Sequence, residues 1–154
     1  MNTRQEAAVM YFNEGYNCAQ SVLAAFTDEL GFDKNAGLRI SAGFGAGMGR
    51  LQETCGAVTG AFMAIGIYTT GKFTDNITRK EKTITMVQDF DRAFKQLHRT
   101  SNCAELLGCD LKTEEGQKVY ADNNLKETIC TKCVINAVSI LESLMNSPES
   151  ESFH

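Results

Sequence analysis

Tryptophan is absent from this chain of 154 residues, proline occurs once, as Pro148, and histidine twice, as His98 and His154. Each scarcity removes a class of explanation. With aromatics at 8% and no tryptophan, the chain offers little surface on which nucleic-acid bases could stack. It has no basic excess either: 15 basic against 19 acidic side chains leave a net charge of −4 and a pI near 5.2. Nucleic acid and anionic membrane surfaces are therefore not the expected partners. Two histidines without partner spacing, and no carboxylates set apart by environment, give no Ser-His-Asp or paired-acid machinery. His98 reads instead as a helix-closing cation. The run Cys55–Tyr68 is the most apolar stretch, yet it is shorter than the ~20 residues of a membrane span. The opening MNTRQEAAVMYFNEGYNC has no apolar leader segment, so the expected location is cytoplasmic.

Strand-like alternation is also missing, and with no proline before residue 148 nothing interrupts long helices. The expected fold class is all-α: one helical bundle over residues 1–146, followed by a flexible polar tail over 147–154. A chain of this length can bury about 70% of its unfolded surface without staples. Its six cysteines are therefore available for chemistry, and in a reducing compartment they point to metal binding or thiol reactions more than to structural disulfides.

Cap residues mark the helices. Thr3 with Glu6 predicts a capping box for a first helix closed at Gly15. Asn17 with Gln20 opens a second, stopped by Gly31. The glycine-alternating segment GFGAGMG (43–49) reads as a loop or close-contact segment. Cys55–Tyr68 predicts a buried central helix. Gly56, Gly60 and Ala64 give it a small-residue face for packing within the bundle or against a second copy in a homo-oligomer. Thr78 with Glu81 opens a long amphipathic helix with Ile84, Val87, Phe90, Phe94 and Leu97 as its apolar seam, and Arg79–Lys82 as a solvated face. Asn102 with Glu105 caps a short helix ending at Gly108. Thr113 starts another that ends near Asn123, and a last helix runs from about Ile129 to Met145.

Three look-alikes fail. GFGAGMG contains no G-x-G-x-x-G in any register, and Gly66–Lys72 resembles a phosphate loop only until Phe73 stands where Ser or Thr must meet Mg²⁺. Asn76-Ile77-Thr78 is a glycosylation sequon without secretory context.

The cysteines carry more. Asn17-Cys18-Ala19-Gln20 and Asn102-Cys103-Ala104-Glu105 each place a cysteine in the first turn of a capped helix, and Cys130 follows the candidate cap Thr128. Helix starts favour thiolates, so lowered pKa values are expected there. Cys130 and Cys133 form a C-x-x-C whose spacing brings both sulfurs to one side of a helix, suited to half a metal site or a dithiol.

Cys18 in NCAQSV, GFGAGMG, Cys55 in CGAVTG, Cys103 in CAELLGCDL and Cys130 before an apolar helix together resemble the C_GCAxxG_C_C family. The resemblance covers nearly the whole chain, and CGAVTG matches the core motif in full. It implies redox activity and a shared set of Cys18, Cys55, Cys103 and Cys130, with Cys109 and Cys133 outside it. Family members are encoded near transporter genes, which implies a redox partner or transporter-linked protein. If those four cysteines converge, Gly45, Gly47 and Gly56 would let backbone N–H groups approach sulfur or a bound anionic group. Three functions stay open: thiol–disulfide chemistry, an iron–sulfur cluster or other thiolate-bound metal, and a helical interaction protein with inert core cysteines.

Overall fold

Asn2, one residue before the expected cap, opens the first helix of the computed structural model, which describes residues 1–147. Two capping boxes overlap here, and asparagine is the better cap than threonine. The Asn2 side chain accepts from the Gln5 N–H and the Gln5 side chain accepts from the Asn2 N–H, both at 2.9 Å. Helix α1 (Thr3–Asn13) is followed by α2 (Cys18–Leu30), which has the predicted Asn17/Gln20 box and the left-handed Gly31 cap. Asp33 then caps α3 (Lys34–Ile40), a helix without a clear sequence signal, which runs through a tight turn at 41–44 into the short α4 (Gly45–Met48).

Helix α5 (Gly56–Lys72) is the central one, longer than the predicted stretch, with Ala57, Val58, Ala61, Ala64 and Ile65 fully buried. Its small-residue face packs against α2 of the same chain. A Cβ on Gly60 would lie 2.6 Å from the Ala19 carbonyl oxygen, so that approach requires glycine.

Helix α6 (Asn76–His98) begins two residues earlier than Thr78 suggests, because the Asp75 carboxylate caps it through the Thr78 N–H at 2.9 Å. Its inward stripe is Lys82, Met86, Phe90 and Phe94, whereas Ile84 and Leu97 are exposed. The helix carries apolar residues on more than one face, and its neighbours decide which face is covered. Lys82, expected on a solvated face, is buried with its ammonium 5.5 Å from the Phe73 ring centroid.

Two short helices follow as predicted: α7 (Cys103–Leu107), capped by Asn102 and Gly108, and α8 (Glu114–Asp122), capped by Thr113. The last helix differs. Residues Lys126–Cys130 form a π turn that runs without a break into α9 (Thr131–Met145). Lys126–Met145 is long and apolar enough to cross a membrane by length and composition. Here Val134, Ala137, Val138 and Leu141 are fully buried in the bundle core. That core draws on α1, α2, α5, α6 and α9, with a smaller cluster at Cys103, Leu107 and Leu111. The structure is all-α; one antiparallel bridge, Thr54 to Asn102, joins two loops. Most of the expected tail, residues 148–154, lies outside the described residues.

Candidate functional site

The loop bridge places two of the cysteines. Around Thr54 and Asn102, the Cys55 N–H donates to the Ser101 carbonyl at 2.7 Å and the Cys103 N–H donates to the Glu53 carbonyl at 2.6 Å. The start of α7 is thereby bound to the segment that leads into α5. Upstream, Ala46, Gly47, Met48, Gly49, Arg50 and Gln52 all have positive φ, a left-handed run that non-glycine residues adopt only at a cost of roughly 1–3 kcal/mol each. The run is held by its contacts. Gln52 donates to the Cys109 carbonyl and accepts from the Leu111 N–H, each at 2.8 Å, and the Glu53 N–H donates to Gly47 at 3.0 Å.

Cys18 is placed from the other side. Its cap, Asn17, donates from Nδ2 to the Ala42 carbonyl at 3.0 Å, and Gln20 reaches the Leu38 carbonyl at 2.8 Å. These bonds fasten the α2 start to the α3–α4 turn. Cys130 and Cys133 arrive on the π turn and α9, one helical turn apart.

The result is a cavity of about 140 Å³ lined by Cys18, Cys55, Cys103, Cys130 and Cys133. Phe12, the leucines 106, 107 and 111, Ile129 and Tyr120 supply most of the remaining wall. The four cysteines singled out in the sequence therefore share one space, with a fifth beside them. Cys109 is outside, on the loop after α7. Of the three glycines, only Gly56 lines the cavity. Gly45 and Gly47 act behind it: a Cβ on Gly45 would lie 2.3 Å from Asn17 Cβ, and one on Gly47 would lie 2.7 Å from Cys103 Cβ. They admit the supports of the cysteines rather than a ligand.

The sulfurs are free thiols arranged in two partnerships. Cys18 is paired with Cys130 and Cys55 with Cys133, and in each pair one thiol is raised while its partner is lowered. Cys130 is lowered to about 7: the Cys18 bond is the largest cause, with the Tyr120 hydroxyl and the Lys126 charge adding to it against the effect of burial. Tyr120 donates to Cys130 Sγ at 3.6 Å. Cys18, the donor, is raised well above the usual thiol range by that same bond and by burial. Cys55 is lowered by the Cys133 thiol and by the Ala57 and Val58 N–H groups at the α5 start, while Cys133 is raised.

This corrects the expectation that all the helix-start cysteines are acidic. Burial pushes Cys103 up to about 12 despite its place at the head of α7. Cys130 is not at a capped helix start: Thr128 donates its hydroxyl to the Asn124 carbonyl, and Cys130 lies inside a continuous helix. Its acidity comes from neighbouring donors instead.

Two participants escaped the sequence reading. Cys133 was legible only as the second half of C-x-x-C, and Tyr120 carried no signal. His98 is a third surprise. It stacks on Phe94 with ring centroids 4.5 Å apart and points Nδ1 at Cys133 Sγ, 3.9 Å away. Burial lowers its pKa, which favours the neutral ring over the expected cation.

Cysteine sulfurs are the right donors for a soft metal or an iron–sulfur cluster. Among the described residues, however, no three His, Cys, Asp or Glu side chains are grouped closely enough to hold one metal ion. The present arrangement does not fit such a centre.

A family model described as "Putative redox-active protein (C_GCAxxG_C_C)" matches residues 16–144. Comparison with curated proteins and with solved structures gives no match.

Proposed function

The chain belongs to the C_GCAxxG_C_C family, and on that premise we propose that it is a dithiol redox protein whose working pair is Cys130 and Cys18. The observation that carries this reading is that Cys18, Cys130 and Tyr120 meet at the wall of one cavity, where the Tyr120 hydroxyl donates to Cys130 Sγ at 3.6 Å. The Cys18 thiol and the Tyr120 hydroxyl both favour the charged form of Cys130, which is lowered to about 7. A nucleophile whose pKa lies near ambient pH combines useful ionisation with retained nucleophilicity.

The reaction balances without a cofactor. The Cys130 thiolate attacks one sulfur of a substrate disulfide, the S–S bond breaks, and one half leaves as a thiolate. The Cys18 sulfur then attacks Cys130, forming the Cys18–Cys130 disulfide and releasing the second half. The Cys18 proton goes to one of the two departing thiolates. The substrate is reduced by two electrons and the protein is oxidised by two. Apolar cavity walls favour a small or apolar disulfide over a highly charged one. A reducing cytosol would return the pair to thiols, through a partner protein or a small thiol.

The test is oxidation of the reduced protein with one equivalent of a small disulfide, acid quenching, alkylation and peptide mapping. A Cys18–Cys130 linkage at the earliest quench times that reverses with dithiothreitol is the expected result, and its absence at every time overturns the reading. Five cavity-lining cysteines also favour a second reading, a thiolate-bound metal reached by sulfur rearrangement. Anaerobic purification with iron, zinc and labile-sulfide analysis separates the two. Stoichiometric metal with blocked thiols would support the second.

A further inference from the structure

The reading above leaves Cys133, Cys55, His98 and Asn136 without a task, although they form one connected group. Cys133 is 1% exposed and lines the same cavity as the buried Cys55. On its other side stands His98. The Asn136 amide Nδ2 lies 3.0 Å from His98 Nε2. An amide nitrogen can only donate, so Nε2 accepts and the ring proton is carried on Nδ1. Nδ1–H then points at Cys133 Sγ, 3.9 Å away. The ring is held by its stacking on Phe94 at 4.5 Å. His98 itself is only half-buried, so the group runs from the cavity wall to the surface.

We propose that Cys55 and Cys133 are a second dithiol unit that receives the disulfide formed at Cys18–Cys130, and that His98 is the positioning residue for Cys133. The proposal rests on the Cys18–Cys130 reading and extends it. All four sulfurs line the same cavity. Helices α2 and α5 meet beside them, where a Cβ on Gly56 would lie 3.1 Å from Cys18 Cβ.

The exchange balances internally. The Cys55 thiolate attacks Cys18 in the Cys18–Cys130 disulfide, forming Cys55–Cys18 and freeing the Cys130 thiolate. The Cys133 sulfur then attacks Cys55, forming Cys55–Cys133 and freeing Cys18. The proton that leaves Cys133 ends on Cys18, so the net change is one disulfide moved and one proton moved. No outside oxidant enters this step. The His98 Nδ1–H bond holds the Cys133 sulfur in line and stabilises the charge it carries as its proton departs. The first unit is thereby returned to its reactive form while the oxidising equivalent is stored deeper in the bundle.

The experiment follows disulfides in time. Reduced full-length protein receives one equivalent of 2-hydroxyethyl disulfide, a small uncharged disulfide, samples are acid-quenched at intervals, and linkages are mapped by mass spectrometry. Cys18–Cys130 should appear first and decline as Cys55–Cys133 rises. In His98→Ala the second linkage should form about tenfold more slowly, the effect of one lost hydrogen bond to a charged sulfur. The first should form at the normal rate. His98→Asn, which returns an amide N–H near the Nδ1 position, should recover part of the loss, which a purely structural role for the ring would not give. In Cys133→Ser the first linkage should accumulate and persist. A Cys18–Cys130 linkage that forms normally and never passes to Cys55–Cys133, or passes at an unchanged rate in His98→Ala, overturns the relay alone. If no Cys18–Cys130 linkage forms, the reading beneath it fails and the relay fails with it.

Discussion

Replacing Cys18 with alanine should disarm Cys130 without touching it. Cys130 is lowered to about 7 chiefly because the Cys18 thiol donates to it. Near neutrality about half of such a sulfur is thiolate, whereas an ordinary thiol near 8.5 is only about 3% ionised. Removing the largest donor takes away support for the charged form, so the pKa must rise. Burial, which opposes ionisation at Cys130, works in the same upward direction once the donor is gone. Alkylation by iodoacetamide at neutral pH should then slow by up to about sixteenfold, the ratio of the two thiolate fractions. The assay is a pH–rate profile read by mass spectrometry. Trypsin cuts after Lys126 and Lys132, which isolates Cys130 in the peptide ETICTK, apart from Cys133. The midpoint should move from about 7 in the parent toward the ordinary thiol range in Cys18→Ala. Tyr120→Phe should move it in the same direction by less. A Cys18→Ala midpoint that stays near that of the parent would show that Cys130 owes its acidity to something else, and the reasoning would be wrong.

Gly60→Ala sets a methyl group 2.6 Å from the Ala19 carbonyl oxygen and 2.9 Å from Ala19 Cα. Main-chain atoms cannot rotate away, so a loss of about 1–3 kcal/mol should appear in the urea midpoint. Gln52→Ala leaves the Leu111 N–H and the Cys109 carbonyl unpaired. This should cost about 1–3 kcal/mol and raise hydrogen exchange selectively around α7. Burial holds His98 below its usual pKa, so the native state prefers the neutral ring. The associated stability is complete above the unfolded value near 6.5 and is lost as pH falls through the lower folded value. Denaturant midpoints of the parent should drop on acidification through this range, and His98→Gln should flatten the drop.

Local chemistry was the legible layer of this fold. The Asn17/Gln20 box, the Gly31 and Gly108 stops and the Thr113 cap each depend on residues within one helical turn, and a sequence displays such residues side by side. Where two local signals compete, as at Asn2 and Thr3, cap strength settled a register that pattern alone did not. The α6 seam was read correctly at Val87, Phe90 and Phe94 and wrongly at Ile84 and Leu97; Ile84 and Met86 are equally apolar, and only the positions of α5 and α9 decide between them. Convergence of the cysteines was legible through motif order and helix starts. Their acidities were not, because those depend on which thiol stands opposite which. The partner of Cys130 is Cys18, 112 positions away, and its hydroxyl donor comes from a helix with no motif at all. His98 and Cys133 are 35 residues apart, and no periodicity in either helix announces their meeting.

The π turn at Lys126–Cys130 amounts to a single surplus amino acid wound into the helix that continues as α9. Deleting one residue between Lys126 and Ile129 would let the coil relax to ordinary pitch, leaving Cys130 and Cys133 where the core anchors them. The chain arriving from α8 with Tyr120 would then join the helix offset by about 100° around its axis. A length polymorphism of one codon could therefore retune the nucleophile while every atom of the thiol pair keeps its place.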